Sequence, residues 1–146
     1  MKININSAVK NPRQQFDFDF MFMPQADLLN NSLAYFYKEA VFSGIYYYID
    51  DKIFVKGSIA YVIVYPCDRC LKSVQYNKEI IFDEVFYRQA QDGADYTYSG
   101  TEIDLSKPAA DYIILDMPAG IVCGKGCKGL CAVCGRNLNE GSCNCT

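Results

Sequence analysis

Residues 123–146, CGKGCKGLCAVCGRNLNEGSCNCT, hold six of the chain's eight cysteines and almost nothing from which a hydrophobic core is made. After Pro118 the composition turns abruptly to Gly, Cys and Asn. Such a stretch cannot offset its conformational entropy by burial, so something must cross-link it. The other two thiols, Cys67 and Cys70, form CDRC near the middle of the chain. By spacing, the cysteines divide into Cys67-x2-Cys70, Cys123-x3-Cys127, Cys131-x2-Cys134 and Cys143-x-Cys145.

The kind of cross-link follows from compartment and partners. The opening residues, MKININSAVKNPRQQFDFDF, have no apolar signal core, and no run of about 18 apolar residues offers a membrane span. A soluble cytoplasmic protein is expected, and a reducing cytosol favours metal ligation over disulfides for closely spaced cysteines. Four short-range pairs supply eight ligands, enough for two tetrahedral sites of four thiolates each. CAVCG has the form of a zinc knuckle: the two-residue spacer curls the chain around one ion, and Gly135 can adopt positive φ while N–H groups point at sulfur. CDRCL is a second knuckle without the glycine. The preferred grouping puts Cys67, Cys70, Cys123 and Cys127 on one ion and Cys131, Cys134, Cys143 and Cys145 on the other. The main rival is a ribbon-like site from Cys67, Cys70, Cys131 and Cys134. With the pairs intact there are three ways to form two sites, and spacing leaves them open. Two structural Zn²⁺ ions are the expectation, with iron–sulfur clusters and disulfide or redox use as alternatives.

The chain contains no histidine, which removes imidazole acid–base catalysis, catalytic triads and mixed Cys/His sites. No phosphate-binding glycine loop is present. A redox dithiol would usually sit at a helix N-terminus, whereas CDRC falls between two strand patterns. A catalytic zinc needs an open position and a general base. No catalytic residue and no small-molecule substrate are therefore expected. The net charge is −3, and each Zn²⁺ on four thiolates adds two negative charges, so two filled sites take it to about −7. Global electrostatics does not draw such a chain to nucleic acid.

Residues 14–87 read as β. FDFDFMFM alternates, with Phe16, Phe18, Phe20 and Phe22 on one face; the other carries Asp17, Asp19, Met21 and Met23 and is expected to become buried toward its end. Residues 26–40 suit a loop or short helix. VFSGIYYYI and KIFVKGSIAYVIVY flank Asp50-Asp51, a pair suited to a hairpin turn, and Gly44 and Gly57 mark bulges or bends. SVQYNKEIIFDEVFY continues the pattern, so CDRC occupies a strand–strand turn. Residues 88–100 are polar and read as a flexible loop. Residues 102–118 read as a short helix, near 107–117, with Ser106 as N-cap, Pro108 in the first turn and a stripe of Ala109, Ala110, Ile113, Ile114 and Met117. The expected fold is mainly β, an antiparallel sheet or partly open barrel, with one or two short helices and a Cys-rich zinc-binding C-terminal tail. A β-rich domain would span 1–118 and the tail 119–146, packed back on it. Tyr47, Tyr61, Tyr65, Tyr76 and Phe86 are assigned to a β core ahead of RNA stacking. Lys72, Lys78, Arg88, Lys125, Lys128 and Arg136 are assigned to solvent.

CDRCLKSV resembles the CxRCL signature of the YceD family, IDLSKPAADYIILDMP its helix before a proline, and CKGLCAVCGRNLNEGSC its tail. The likeness runs over roughly residues 40–146, and Ala132 departs from a common proline. The resemblance implies a role in accumulation of 23S rRNA, through synthesis, processing or stability, with no established enzymatic activity. The implied partners are the pre-ribosomal large subunit, rRNA or an rRNA-processing protein. An rRNA hydrolase built on Asp83, Glu84, Asp92 and Asp95, and a zinc-thiolate redox sensor, are the alternatives.

Overall fold

The computed structural model describes residues 1–89 and 96–145. Its elements are β1 (Lys2–Asn4), α1 (Asn6–Lys10), β2 (Phe16–Phe22), a 3-10 turn (Ala26–Leu28), β3 (Tyr35–Phe36), β4 (Ala40–Ile49), β5 (Lys52–Pro66), β6 (Ser73–Tyr87), β7 (Tyr96–Thr97), β8 (Glu102–Asp104) and α2 (Ser106–Asp116). The main sheet is open, ordered β2-β4-β5-β6-β7, with β3 pairing β5. Its pairs are antiparallel except β6–β7. Of the two expected architectures, the open sheet is the one formed.

β4 and β5 are joined by Asp50 and Asp51, both at positive φ, the conformation of the two-residue turn whose twist matches that of the flanking strands. Along β5, Ile53, Val55, Ile59, Tyr61 and Ile63 are buried on one face. α1, α2 and the small β1–β8 sheet supply Ile3, Ile5, Ala8, Ile103, Leu105, Ala109 and Ile113 to the same core. Gly44 faces Gly57 in an unbroken register, so neither marks a bulge. They permit close approach instead: a Cβ on Gly44 would lie 2.1 Å from the Lys56 carbonyl oxygen. In the core, Phe42 packs 5.0 Å from Phe18 and 4.9 Å from Phe82.

Several elements differ from the sequence reading. Residues 102–104 are a strand because β1, unforeseen, pairs with them. The helix begins at Ser106 with Leu105 in the cap position, and Asp104 accepts the Ser106 N–H at 2.8 Å. Ile114 is 47% exposed, because the buried stripe runs through Pro108, Ala109 and Ile113. Met21 and Met23 are 65% and 56% exposed, since no layer covers that face of β2. Residues 26–40 form the 3-10 turn and β3, and part of the predicted loop 88–100 forms β7. Tyr61 and Phe86 are core residues, Tyr76 is exposed, and Tyr47 stacks on Phe54 at 5.1 Å.

No helix among the described residues is long and apolar enough to cross a membrane.

Candidate metal centres

The β5–β6 connection and the Cys131–Cys134 loop are two copies of one turn. In the first, the Cys67 N–H donates to the Lys72 carbonyl at 2.8 Å and the Leu71 N–H to the Cys67 carbonyl at 2.9 Å. In the second, Cys131 donates to Arg136 at 2.8 Å and Gly135 to Cys131 at 2.9 Å. The N–H two residues on points at the first sulfur in both, from Arg69 at 3.5 Å and from Val133 at 3.4 Å. Closing the turn requires positive φ after the second cysteine. Gly135 supplies it at 71°, and Leu71 is held there at 60° although no glycine is present.

Two side chains between Cys67 and Cys70 fasten the tail to this turn. Asp68 accepts the Ile121 N–H at 2.8 Å through its carboxylate, and its own N–H donates to the Ile121 carbonyl at 2.9 Å. Arg69 donates through Nη1 to the Cys127 carbonyl at 3.2 Å, and its carbonyl accepts the Leu130 N–H at 3.0 Å. Gly129, at φ 77°, passes so close to Arg69 that an added Cβ would sit 3.1 Å from that carbonyl oxygen. Buried Ile121 anchors the tail's root in the main core.

The result is two quartets, Cys67, Cys70, Cys123, Cys127 and Cys131, Cys134, Cys143, Cys145, each with its sulfurs within 4.8 Å of one another. This is the preferred grouping of the sequence analysis; the ribbon-like set is not brought together. Cys67 Sγ lies 3.8 Å from Cys127 Sγ, and Cys70 Sγ 3.6 Å from Cys123 Sγ. A disulfide would need about 2.05 Å, whereas thiolates about 2.3 Å from one tetrahedral ion stand about 3.8 Å apart. All eight cysteines are free, and both donor sets fit a metal ion. In the first quartet Cys67, Cys70 and Cys127 are buried; in the second Cys134 and Cys145 are exposed.

Cys67, Cys127 and Cys131 are prepared for charge, whereas Cys70, Cys123 and Cys143 are held in the neutral form. Burial opposes ionisation of Cys67, but N–H groups of Arg69, Cys123 and Cys70 outweigh it and bring the thiol down from 9.0 to about 6. Cys131 also falls to about 6, through N–H groups of Cys134 and Val133 and the neighbouring Cys143 thiol. Cys123 is pushed up to about 12, because it donates to the sulfurs of Cys127 and Cys70 that take the negative charge first.

Asn139 was missed by the sequence reading, as were Asp68 and Arg69. It lies in the loop of the second quartet, yet its amide Nδ2 donates to Cys127 Sγ of the first at 3.5 Å. Its Oδ1 accepts the Lys128 N–H at 2.8 Å, and Asn137 Oδ1 holds it from the other side at 2.8 Å. The asparagine pair in GRNLNEG was the available signal.

The carboxylates considered for hydrolysis do not converge. Asp83 and Glu84 are consecutive in β6 and so face opposite sides; Asp83 pairs with Lys56 at 3.0 Å and Glu84 accepts the Tyr112 hydroxyl at 2.7 Å. Asp92 and Asp95 lie outside the described residues. Of the six cations, Lys78 pairs with Asp116 at 2.9 Å, Arg88 with Asp51 at 3.3 Å, and Arg136 donates to the Ser142 carbonyl at 3.0 Å. Lys72, Lys125 and Lys128 are exposed.

An Arabidopsis thaliana protein described as large ribosomal RNA subunit accumulation protein YCED homolog 1, chloroplastic, is 43% identical over 44 residues, 30% of this chain and 14% of its own. The Zea mays protein of that description is 51% identical over 45 residues, 30% of this chain and 15% of its own. A Mycobacterium leprae protein is 26% identical over 98 residues, 62% of this chain and 45% of its own. The chain spans less than half the length of these relatives. No solved structure matches it. The family model described as large ribosomal RNA subunit accumulation protein YceD matches residues 55–146, a span that takes in both cysteine quartets, and the chain belongs to that family.

Proposed function

We propose that this protein is a non-enzymatic ribosome biogenesis factor that supports the synthesis, processing or stability of 23S rRNA, with two structural zinc ions shaping its C-terminal part. The observation that carries the reading is the family match, which covers the β5–β6 knuckle and the whole tail. The plant relatives similar to this chain are described as accumulation proteins for large-subunit rRNA.

Zinc suits the all-thiolate donor sets and the spacing of sulfurs about a single ion. An iron–sulfur cubane binds each thiolate to a separate iron and so spreads the sulfurs further apart. Four protein ligands close the coordination sphere, and a closed site has no position for a reacting water. The engagement of Asp83 by Lys56 and of Glu84 by Tyr112 favours structural roles for these acids. With a net charge of −3 before metal, contact with a protein of the pre-ribosomal large subunit or an rRNA-processing protein is favoured over bare RNA.

Affinity capture of the tagged protein, with sequencing of bound RNA and identification of bound proteins, is expected to recover large-subunit precursors; their absence overturns the reading. Metal analysis is expected to give two zinc ions per chain, and a content under about 1.5 with free thiols sinks the two-site claim.

A further inference from the structure

β2 runs for seven residues at the margin of the main sheet and pairs β4 along its whole length. Its other side meets no strand among the described residues, so alternate residues direct N–H and C=O groups outward without a protein partner. Nothing in its backbone blunts this edge. Phe16–Phe22 contains no Pro, Lys or Gly, and its register has no bulge.

The edge is selective about what could join it. Asp17 and Asp19 are exposed on the face away from the core, and neither forms an ion pair among the described residues. A second copy of β2 laid antiparallel would set Asp17 and Asp19 against the same pair, and like charges directly opposed disfavour strand pairing. The net charge of −3 adds to that repulsion. A strand with cations at alternate positions meets the reverse situation. On the core side Phe16, Phe20 and Phe22 are half-buried, so apolar side chains at the intervening positions of a guest strand would complete their cover.

We propose that the free edge of β2 is a docking strand that adds to the sheet an extended segment of another protein, with lysine or arginine alternating with apolar residues. The site stands apart from the metal centres, which hang on the β5–β6 turn two strands away. It therefore does not depend on their occupancy.

The test uses the full chain and a synthetic peptide alternating lysine and valine over the length of β2. Saturable binding is expected, with new amide-exchange protection at Phe16–Phe22. The double variant Asp17→Lys/Asp19→Lys should bind this peptide roughly tenfold or more weakly and gain affinity for a glutamate–valine peptide. A lysine–valine peptide N-methylated at alternate amides should not bind, because backbone hydrogen bonds hold the added strand. Equal affinity of wild type and the double variant, protection away from β2, or sedimentation showing a homodimer protected at β2 would each overturn the proposal.

Discussion

Leu71 and Gly135 occupy the same position in two copies of one turn, and one of them suits it poorly. Leu71 sits at φ 60° with 58% of its surface exposed, so its side chain contributes little burial to offset the backbone strain. Leu71→Gly is expected to stabilise the folded protein by about 0.5 kcal/mol, after the entropy that glycine gains in the unfolded chain is counted. Gly135→Ala, at φ 71° with open space around it, should cost about 1 kcal/mol. Thermal unfolding of both variants checks the pair. Asn139 acts across the two quartets, since it is carried by one and supports a sulfur of the other. Asn139→Ala is expected to weaken metal binding at the first centre by roughly tenfold while leaving the four thiols of the second unchanged. Chelator competition on that variant, against one with the second quartet's cysteines replaced by serine, reads the effect.

Within the elements, the facing glycines of β4 and β5 are the least tolerant positions. A methyl on Gly44 would lie 2.1 Å from the Lys56 carbonyl oxygen, and one on Gly57 would lie 2.2 Å from that of Ser43. Both contacts are with backbone, which cannot swing away as a side chain can. Gly44→Ala or Gly57→Ala should destabilise the protein by about 3 kcal/mol, measured by denaturant unfolding with an unchanged slope. The C-terminal end of α2 is fixed differently. Asp116 accepts the Tyr61 hydroxyl at 2.8 Å and pairs with Lys78 at 2.9 Å, which ties the end of the helix to β5 and β6. The burial of Tyr61, together with this hydrogen bond, holds its phenol well above the usual range, and it stays protonated throughout the physiological span.

For the whole molecule, the β-sheet core and the tail depend on different forces. The sheet buries Phe42, Phe82, Ile59 and Tyr61, and hydrophobic burial holds it without metal. Residues 123–145 bury few apolar side chains and are held by hydrogen bonds and, as proposed, by metal ligation through their sulfurs. Removal of metal is expected to leave the strand signal in circular dichroism intact while amide protection from Cys123 onward is lost. The second quartet should release its ion first, because Cys134 and Cys145 are exposed while three thiols of the first are buried. A chromophoric chelator is expected to show two phases. Acid acts in the same direction. Cys67 and Cys131 are depressed from 9.0 to about 6, so their thiolates contribute stability above the unfolded value, and that contribution is lost as pH falls through about 6. Metal retention is expected to fall as pH is lowered, because protons compete with the ion for the thiolates, measured by equilibrium dialysis.

Alternation of apolar and polar residues was enough to place β4, β5 and β6, because a period of two is a property of neighbouring residues along the chain. The spacing of Cys131 and Cys134 before Gly135 was enough to mark a turn that brings two sulfurs together, because a two-residue spacer fixes their reach. Local pattern could not reveal β1, which exists because Glu102–Asp104 lies beside it. Nor could it choose among the three ways of joining four cysteine pairs. That choice rests on Asp68 gripping Ile121, Arg69 gripping Cys127 and Asn139 reaching Cys127 Sγ, contacts between residues apart in the chain. Ligand type and turn geometry are short-range and therefore written in the sequence. Which thiols converge in one quartet depends on where the sheet, α2 and the tail's root come to rest, and only the tertiary structure decides that.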